Sequence, residues 1–219
     1  MATLQELINL VKTKVQDSSF DTPQILVLFN SCLRRSAYKA NFPSLESTGT
    51  FKTNPLSNKV SIPSEWNFQR SLYAASVADG PKVTVLSSAG ILFEKVPNFD
   101  TYIELGDIKF ITYRAGELLY TPIPLVTTTV TCKFFKNPEP LVESDLKFEI
   151  ELLPEALHES LLVNYATWKC YEDLESGVDG LKTNTAYYKN EFTEALNDLR
   201  DIQDVGQTST SPYRENGWI

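Results

Sequence analysis

The spacing of apolar residues changes twice along this chain, and that switch constrains its fold more than any other feature. At the N-terminus Leu4, Leu7, Ile8, Val11 and Val15 recur at helical spacing. Between about 82 and 135 the pattern becomes alternating, with Val83 and Val85, then Thr128, Val130, Cys132 and Phe134. After Leu153-Pro154 the helical spacing returns through Leu157, Leu161, Tyr165 and Trp168, widened by Leu162 and Ala166. A helix stripe and a strand face each need a cover, so the chain is expected to be α+β, with a β segment inserted in the sequence between two helical ones.

Local signals refine this expectation. Thr3 stands three residues before Glu6, the spacing of a capping box, in which each side chain satisfies a backbone N–H that the first helical turn leaves unpaired. Thr22 is the expected cap of a second helix, with Pro23 in its first turn and a buried stripe of Ile25, Leu28, Phe29, Cys32 and Leu33. Residues 44–58 are rich in Ser, Thr, Asn, Gly and Pro and read as a loop. Lys59 to Ile62 reads as a short strand ended by Pro63, whereas Trp66, Phe68, Leu72 and Tyr73 fit either helix or strand. Tyr102–Leu105, Ile108–Tyr113 and Leu118–Tyr120 read as strands, with turns at Gly106-Asp107 and Ala115-Gly116-Glu117. A last helix carries Leu181, Tyr188, Phe192, Ala195, Leu199 and Ile202, a seam for another helix. The expected organisation is a helical bundle from 1–43 and 153–206, built of N- and C-terminal helix pairs. An antiparallel β-rich lobe is inserted at 44–152, and an extended C-terminal tail occupies 207–219.

Composition excludes several function classes. With 219 residues, 42% hydrophobic and 22% charged, the chain can bury a sizeable core. No run approaches a membrane span, and Met1 to Glu6 lack the basic start of a secretory signal. The net charge is −8, which opposes general nucleic-acid binding, and Arg34, Arg35 and Lys39 suit a helix C-terminus. The charge is also uneven. Residues 1–142 hold 14 basic and 12 acidic side chains, and residues 143–219 hold 6 and 16. That acidic surplus is either a solvated helix face or a surface for a basic partner.

Catalytic constellations are not evident. Cys32, Cys132 and Cys170 are distant from one another, which argues for packed thiols in a reducing compartment and against a disulfide framework or a zinc site. The single histidine, His158, has no strained nucleophile turn in the sequence to serve, and reads as a surface or hydrogen-bonding residue. No glycine-rich phosphate loop can be written. Asp198, Asp201 and Asp204, with Glu172, Asp173 and Glu175, are the carboxylates a metal-dependent hydrolase would use. Asp198 and Asp201 interleave with Leu199 and Ile202, which claim the buried side and turn the acids toward water. No cofactor is expected. The polar stretch Gln207 to Pro212, ending in Tyr213, Arg214, Trp218 and Ile219, is either a frayed terminus or a segment that orders on a partner.

The order of these elements resembles the head-to-tail adaptor (connector, or neck) proteins of tailed bacteriophages. Four stretches carry the likeness. They are Leu4-Gln5-Glu6-Leu7-Ile8 with Thr22-Pro23-Gln24-Ile25-Leu26, then Val60-Ser61-Ile62-Pro63-Ser64-Glu65-Trp66, then Tyr113 to Pro122, and finally Leu153-Pro154-Glu155-Ala156-Leu157 through Tyr165-Ala166. The resemblance implies a structural virion protein made in the host cytoplasm and not an enzyme. Its copies would form a homo-oligomeric ring, usually twelve-fold, at the head–tail junction, with no membrane partner. The ring would join the portal protein to a tail or nozzle protein and extend the channel through which DNA passes with transient, non-specific contact. It also implies that 207–219 reach into the portal, with Tyr213, Arg214, Trp218 and Ile219 as the anchor. An acidic channel wall would let DNA slide without sticking. A nozzle or tail-tube subunit is the neighbouring alternative, and a metal-dependent hydrolase using Asp198 and Asp201 is the alternative of another class.

Overall fold

A computed structural model describes residues 2–17, 19–78, 80–101, 104–176 and 182–207, with only the backbone given for 202–207. The described chain is mixed α and β, with five α-helices and a curled seven-stranded sheet. It divides into two compact units, residues 42–137 and the two flanking segments taken together.

In the flanking unit, α1 (Leu4–Val15) starts on the Thr3–Glu6 capping box and buries Leu4, Leu7, Ile8, Val11 and Val15. The second helix, α2 (Thr22–Lys39), is capped by Asp21 and not by Thr22. The Asp21 carboxylate accepts from Gln24 N at 2.9 Å, and the Gln24 side-chain oxygen accepts from Asp21 N at 2.9 Å. A carboxylate one residue earlier completes the reciprocal pair, which Thr22 has no partner to do. Residues 138–152 run beside these helices. Leu4 N donates to Phe148 O and Gln5 N to Leu146 O, each at 3.0 Å, and the Asn30 amide exchanges two hydrogen bonds with the Leu141 backbone.

Pro154 then opens a 3-10 turn, Glu155–Leu157, followed by a π-helical stretch, His158–Val163, and the α-helix that sequence analysis places third. It is the fourth here, because a short helix, α3 (Ala89–Lys95), intervenes in the other unit. The helix α4 (Asn164–Leu174) buries Tyr165, Ala166, Trp168 and Cys170, and also Asn164 and Thr167. Burial on so many sides marks a central helix, and α4 touches α1, α2 and the last helix, α5 (Thr183–Gln207). From α5 the seam Phe192, Ala195 and Leu199 is buried. Phe192 packs on Tyr165 and Trp168, with ring centroids 5.0 and 5.9 Å away. Leu181 lies outside the described residues, as does the side chain of Ile202.

The unit 42–137 holds the sheet. Its strands are β1 (Glu46–Lys52), β2 (Lys59–Ser61), β3 (Phe68–Val77), β4 (Lys82–Val85), β5 (Phe110–Arg114), β6 (Glu117–Thr121) and β7 (Thr129–Lys136). Their spatial order is β1-β7-β3-β4-β5-β6-β2. Two expectations are corrected here, and one open reading is decided. Residues 46–52 form an edge strand and not a loop. Its inward positions are Ser47, Gly49 and Phe51, and Gly49 is small because Trp66 packs over it: a Cβ there would stand 2.3 Å from the indole. The undecided stretch 68–77 is a strand with a bulge, where Ser71 adopts φ 58° and the pairing with β7 shifts between Arg70 and Ala74. The bulge breaks the alternation, so Leu72 and Ala75, three apart, both face inward. Lastly, the sheet is not wholly antiparallel. β4 pairs with β5 in parallel, because α3 carries the chain from one end of the pair back to the other.

One sheet face closes on Phe51, Trp66, Leu72, Ile111, Leu118, Tyr120, Val130 and Phe134. On the other face α3 covers Leu119 with Leu92 and Phe99. Burial on both faces explains why Leu118-Leu119-Tyr120 reads as a continuous apolar run. The β5–β6 hairpin turns on Ala115 and Gly116, both at positive φ (49° and 83°), a two-residue connection matched to strand twist.

Candidate functional site

His158 is buried at the head of the π-helical stretch. Its Nε2 lies 2.9 Å from the Leu153 carbonyl, which can only accept, so Nε2 donates. Nδ1 is buried without a partner. The ring thus pins the start of the helix to the preceding turn, and among the described residues it holds no hydroxyl or thiol.

The three cysteines are buried and free. Burial pushes each thiol up to about 12, so the nucleophilic thiolate is suppressed. Cys32 Sγ donates to Leu161 O at 3.4 Å, a packing contact between α2 and the π-helical stretch.

The candidate metal carboxylates are not brought together. Asp198 and Asp201 are exposed on α5. Glu172 pairs with Lys169 one turn away. Glu175 accepts from the Thr185 hydroxyl at 2.6 Å and from its backbone N–H at 3.3 Å, a hydrogen-bonded carboxylate at the start of α5. Those bonds, the hydroxyl first, hold Glu175 below the usual carboxylate value. Asp173 is exposed, and the side chain of Asp204 lies outside the described residues. Among the described residues no three His, Cys, Asp or Glu side chains meet as a metal site would require. Tyr213, Arg214, Trp218 and Ile219 also lie outside the described residues.

What the helical unit does assemble is charge around aromatic rings. The Arg35 guanidinium sits 5.9 Å from the Trp168 ring and 5.8 Å from that of Phe192. Lys169 and Lys189 approach the same Trp168 ring at 4.5 and 5.7 Å. Three cations from α2, α4 and α5 therefore converge on one indole, where the negative ring face stabilises each. In the sequence Arg35 reads only as a helix-end charge, and nothing local reveals this cluster. Trp168, Lys169 and Lys189 are 133 to 154 positions from Arg35, and only the packing of three helices joins them to it. On the side of α5 toward α1, a groove of about 500 Å³ is lined by Lys14, Glu159, Asn164, Tyr187, Tyr188 and Glu191. Lys14 Nζ bonds Glu159 at 2.9 Å and Asn164 at 3.3 Å, leaving Glu191 to set the outer charge.

In the β unit, Leu56, Leu105, Leu125 and Val126 are all exposed, on connections at the sheet end where β1 and β6 finish and β2 and β7 begin. Thr53 N donates to Thr128 O there at 2.9 Å, and Gly106 N to Ile123 O at 2.9 Å. The signal in the sequence is an apolar pair, Leu125-Val126, placed after a proline in a turn.

The profile of a family described as SU10 adaptor protein matches residues 2–215, nearly the whole chain. The chain belongs to the SU10 adaptor protein family. This agrees with its resemblance to phage head-to-tail adaptors and makes a structural virion component its family role. None of the curated proteins matches the chain in sequence. No helix among the described residues is long and apolar enough to cross a membrane.

Proposed function

We propose that this chain is a ring-forming head-to-tail adaptor of a tailed bacteriophage. Copies of it, twelve in the usual arrangement, sit beneath the portal, extend the DNA channel and offer a docking face to a tail or nozzle protein. The protein works by contact and has no substrate. The N- and C-terminal helix pairs form the ring-building bundle, and the tail 207–219 reaches into the portal. Tyr213, Trp218 and Ile219 fill apolar pockets there, and Arg214 pairs with an acid. The observation that carries this reading is the family match over residues 2–215.

Removing residues 207–219 tests it. The shortened chain should keep its helical circular dichroism and lose attachment to portal-containing particles. Attachment at the level of the full chain would reject the anchor. A cross-link from the full chain to a tail protein alone, with none to portal, would move the subunit one layer down to the nozzle.

A further inference from the structure

The helix α5 is divided by charge along its length. Its buried seam is Phe192, Ala195 and Leu199. At roughly 100° per residue, Lys189 and Arg200 stand about 100° to one side of that seam, three turns apart. Glu191, Glu194, Asp198 and Asp201, at steps of three, four and three, stand roughly 70° to 150° to the other side. Glu191 is half-buried and the other five are exposed. The neighbouring helices add to the basic side: Arg35 gathers with Lys189 about Trp168, beside Lys169, which pairs with Glu172. In the groove on the acidic side Lys14 pairs with Glu159, so the unmatched acid there is Glu191, beside Tyr187. At 1.5 Å per residue the basic row spans about 16 Å and the acidic row about 15 Å.

We propose that these two flanks are the two halves of a head-to-tail contact between copies of this chain, the basic flank of one copy seated on the acidic flank of the next. The inference rests on the ring reading above and assigns its subunit interface. Opposite signs on opposite sides of one helix make the surface complementary to a second copy and not to itself face to face, which is the geometry that propagates around an axis. The matching row lengths let several pairs form together and set the register, which is what charge contributes most at an interface. The acidic surplus of residues 143–219 is thereby used between subunits, and the exposed aspartates of α5 have a partner.

The test uses the full chain in phage particles lacking their own copy. One variant reverses the basic flank (Arg35→Glu, Lys189→Glu, Arg200→Glu), a second reverses the acidic flank (Glu191→Lys, Glu194→Lys, Asp198→Lys, Asp201→Lys), and a third carries all seven changes. Each half-reversal should lose the ring in particle images and lower complementing titre by roughly tenfold or more, since several exposed pairs of up to ~1 kcal/mol each are turned repulsive. The third variant should restore both. A ring that survives either half-reversal, or a third variant no better than its parents while equally folded by circular dichroism, overturns the contact. If the ring survives and only DNA retention falls, the basic cluster belongs to nucleic acid.

A second measurement avoids charge reversal. With Lys189→Cys and Asp198→Cys in one chain, a short bis-maleimide should convert rings on particles into a ladder of covalent multimers, the three native thiols being buried. Intact rings that run only as monomers overturn the contact. Particles whose unaltered chain forms no ring at the vertex would instead remove the ring reading itself.

Discussion

Gly49 shows how one missing side chain can set the shape of a unit. It lies opposite Cys132 in the β1–β7 ladder, and Trp66 occupies the space a side chain would fill, stacked on Phe134 with centroids 4.7 Å apart. Gly49→Ala should displace the indole and destabilise the protein by about 1–3 kcal/mol, the range for overpacking a well-filled core. Thermal unfolding monitored by Trp fluorescence checks this, and an unchanged midpoint would contradict the packing. Tyr120 is buried to its hydroxyl, which accepts from Asn54 N at 3.0 Å and donates to Asn54 O at 3.4 Å. Tyr120→Phe should cost about 1 kcal/mol in denaturant titration, with more if the Asn54 N–H finds no other acceptor. The thiols give a pH dependence of definite sign. Their folded values are raised from 9.0 to about 12, so the unfolded chain loses protons first. The thiol contribution to stability should therefore be intact below about pH 9 and decline above it. A chain with all three cysteines replaced by alanine should show less decline over that interval.

Helix ends are the weak points at the element scale. Asp21 caps α2 reciprocally with Gln24, so Asp21→Ala should cost about 1 kcal/mol, measurable as a shift in denaturant midpoint. Thr22→Ala should cost less, since Thr22 is already inside the helix. At the start of α5, Glu175 supplies the acceptor, and at the start of α1 Glu6 does the same for Thr3. Backbone and hydroxyl hydrogen bonds from Thr3 hold Glu6 below its ordinary 4.5, as those from Thr185 hold Glu175. Their contribution is complete above pH 4.5 and is lost as pH falls through the lowered folded values. Glu175→Gln should flatten the acid limb of a stability–pH curve, and an unchanged limb would count against the capping role.

For the whole molecule, Cys132 reports on the sheet unit, and Cys32 and Cys170 report on the helical one. In native conditions none of the three should react with a disulfide reagent, and all three should in denaturant. Separate reaction phases would show that the units open independently, and one phase that they unfold together. The parts legible in the sequence were those governed by nearest neighbours. The α1 capping box, the stripe Ile25, Phe29, Cys32 and Leu33, the alternation Val130, Cys132 and Phe134, and the Ala115-Gly116 turn each depend on a few adjacent residues, and the sequence named them. The element order was likewise enough to point to the family. Other features depended on partners distant in the chain. The strand at 46–52 was hidden because Gly49 owes its smallness to Trp66, and β3 because a bulge breaks its alternation. The helix α3 and its parallel crossover lay inside a stretch whose flanking strands dominated the pattern. Arg35, Lys169 and Lys189 meet only because three helices pack around one indole. Sequence by itself determined the local elements and the mixed α+β class, since hydrophobic period and capping act within a few residues. Strand order, the attachment of 138–152 to the helices and the charged surfaces were decided by tertiary structure, because each joins residues that no local pattern relates.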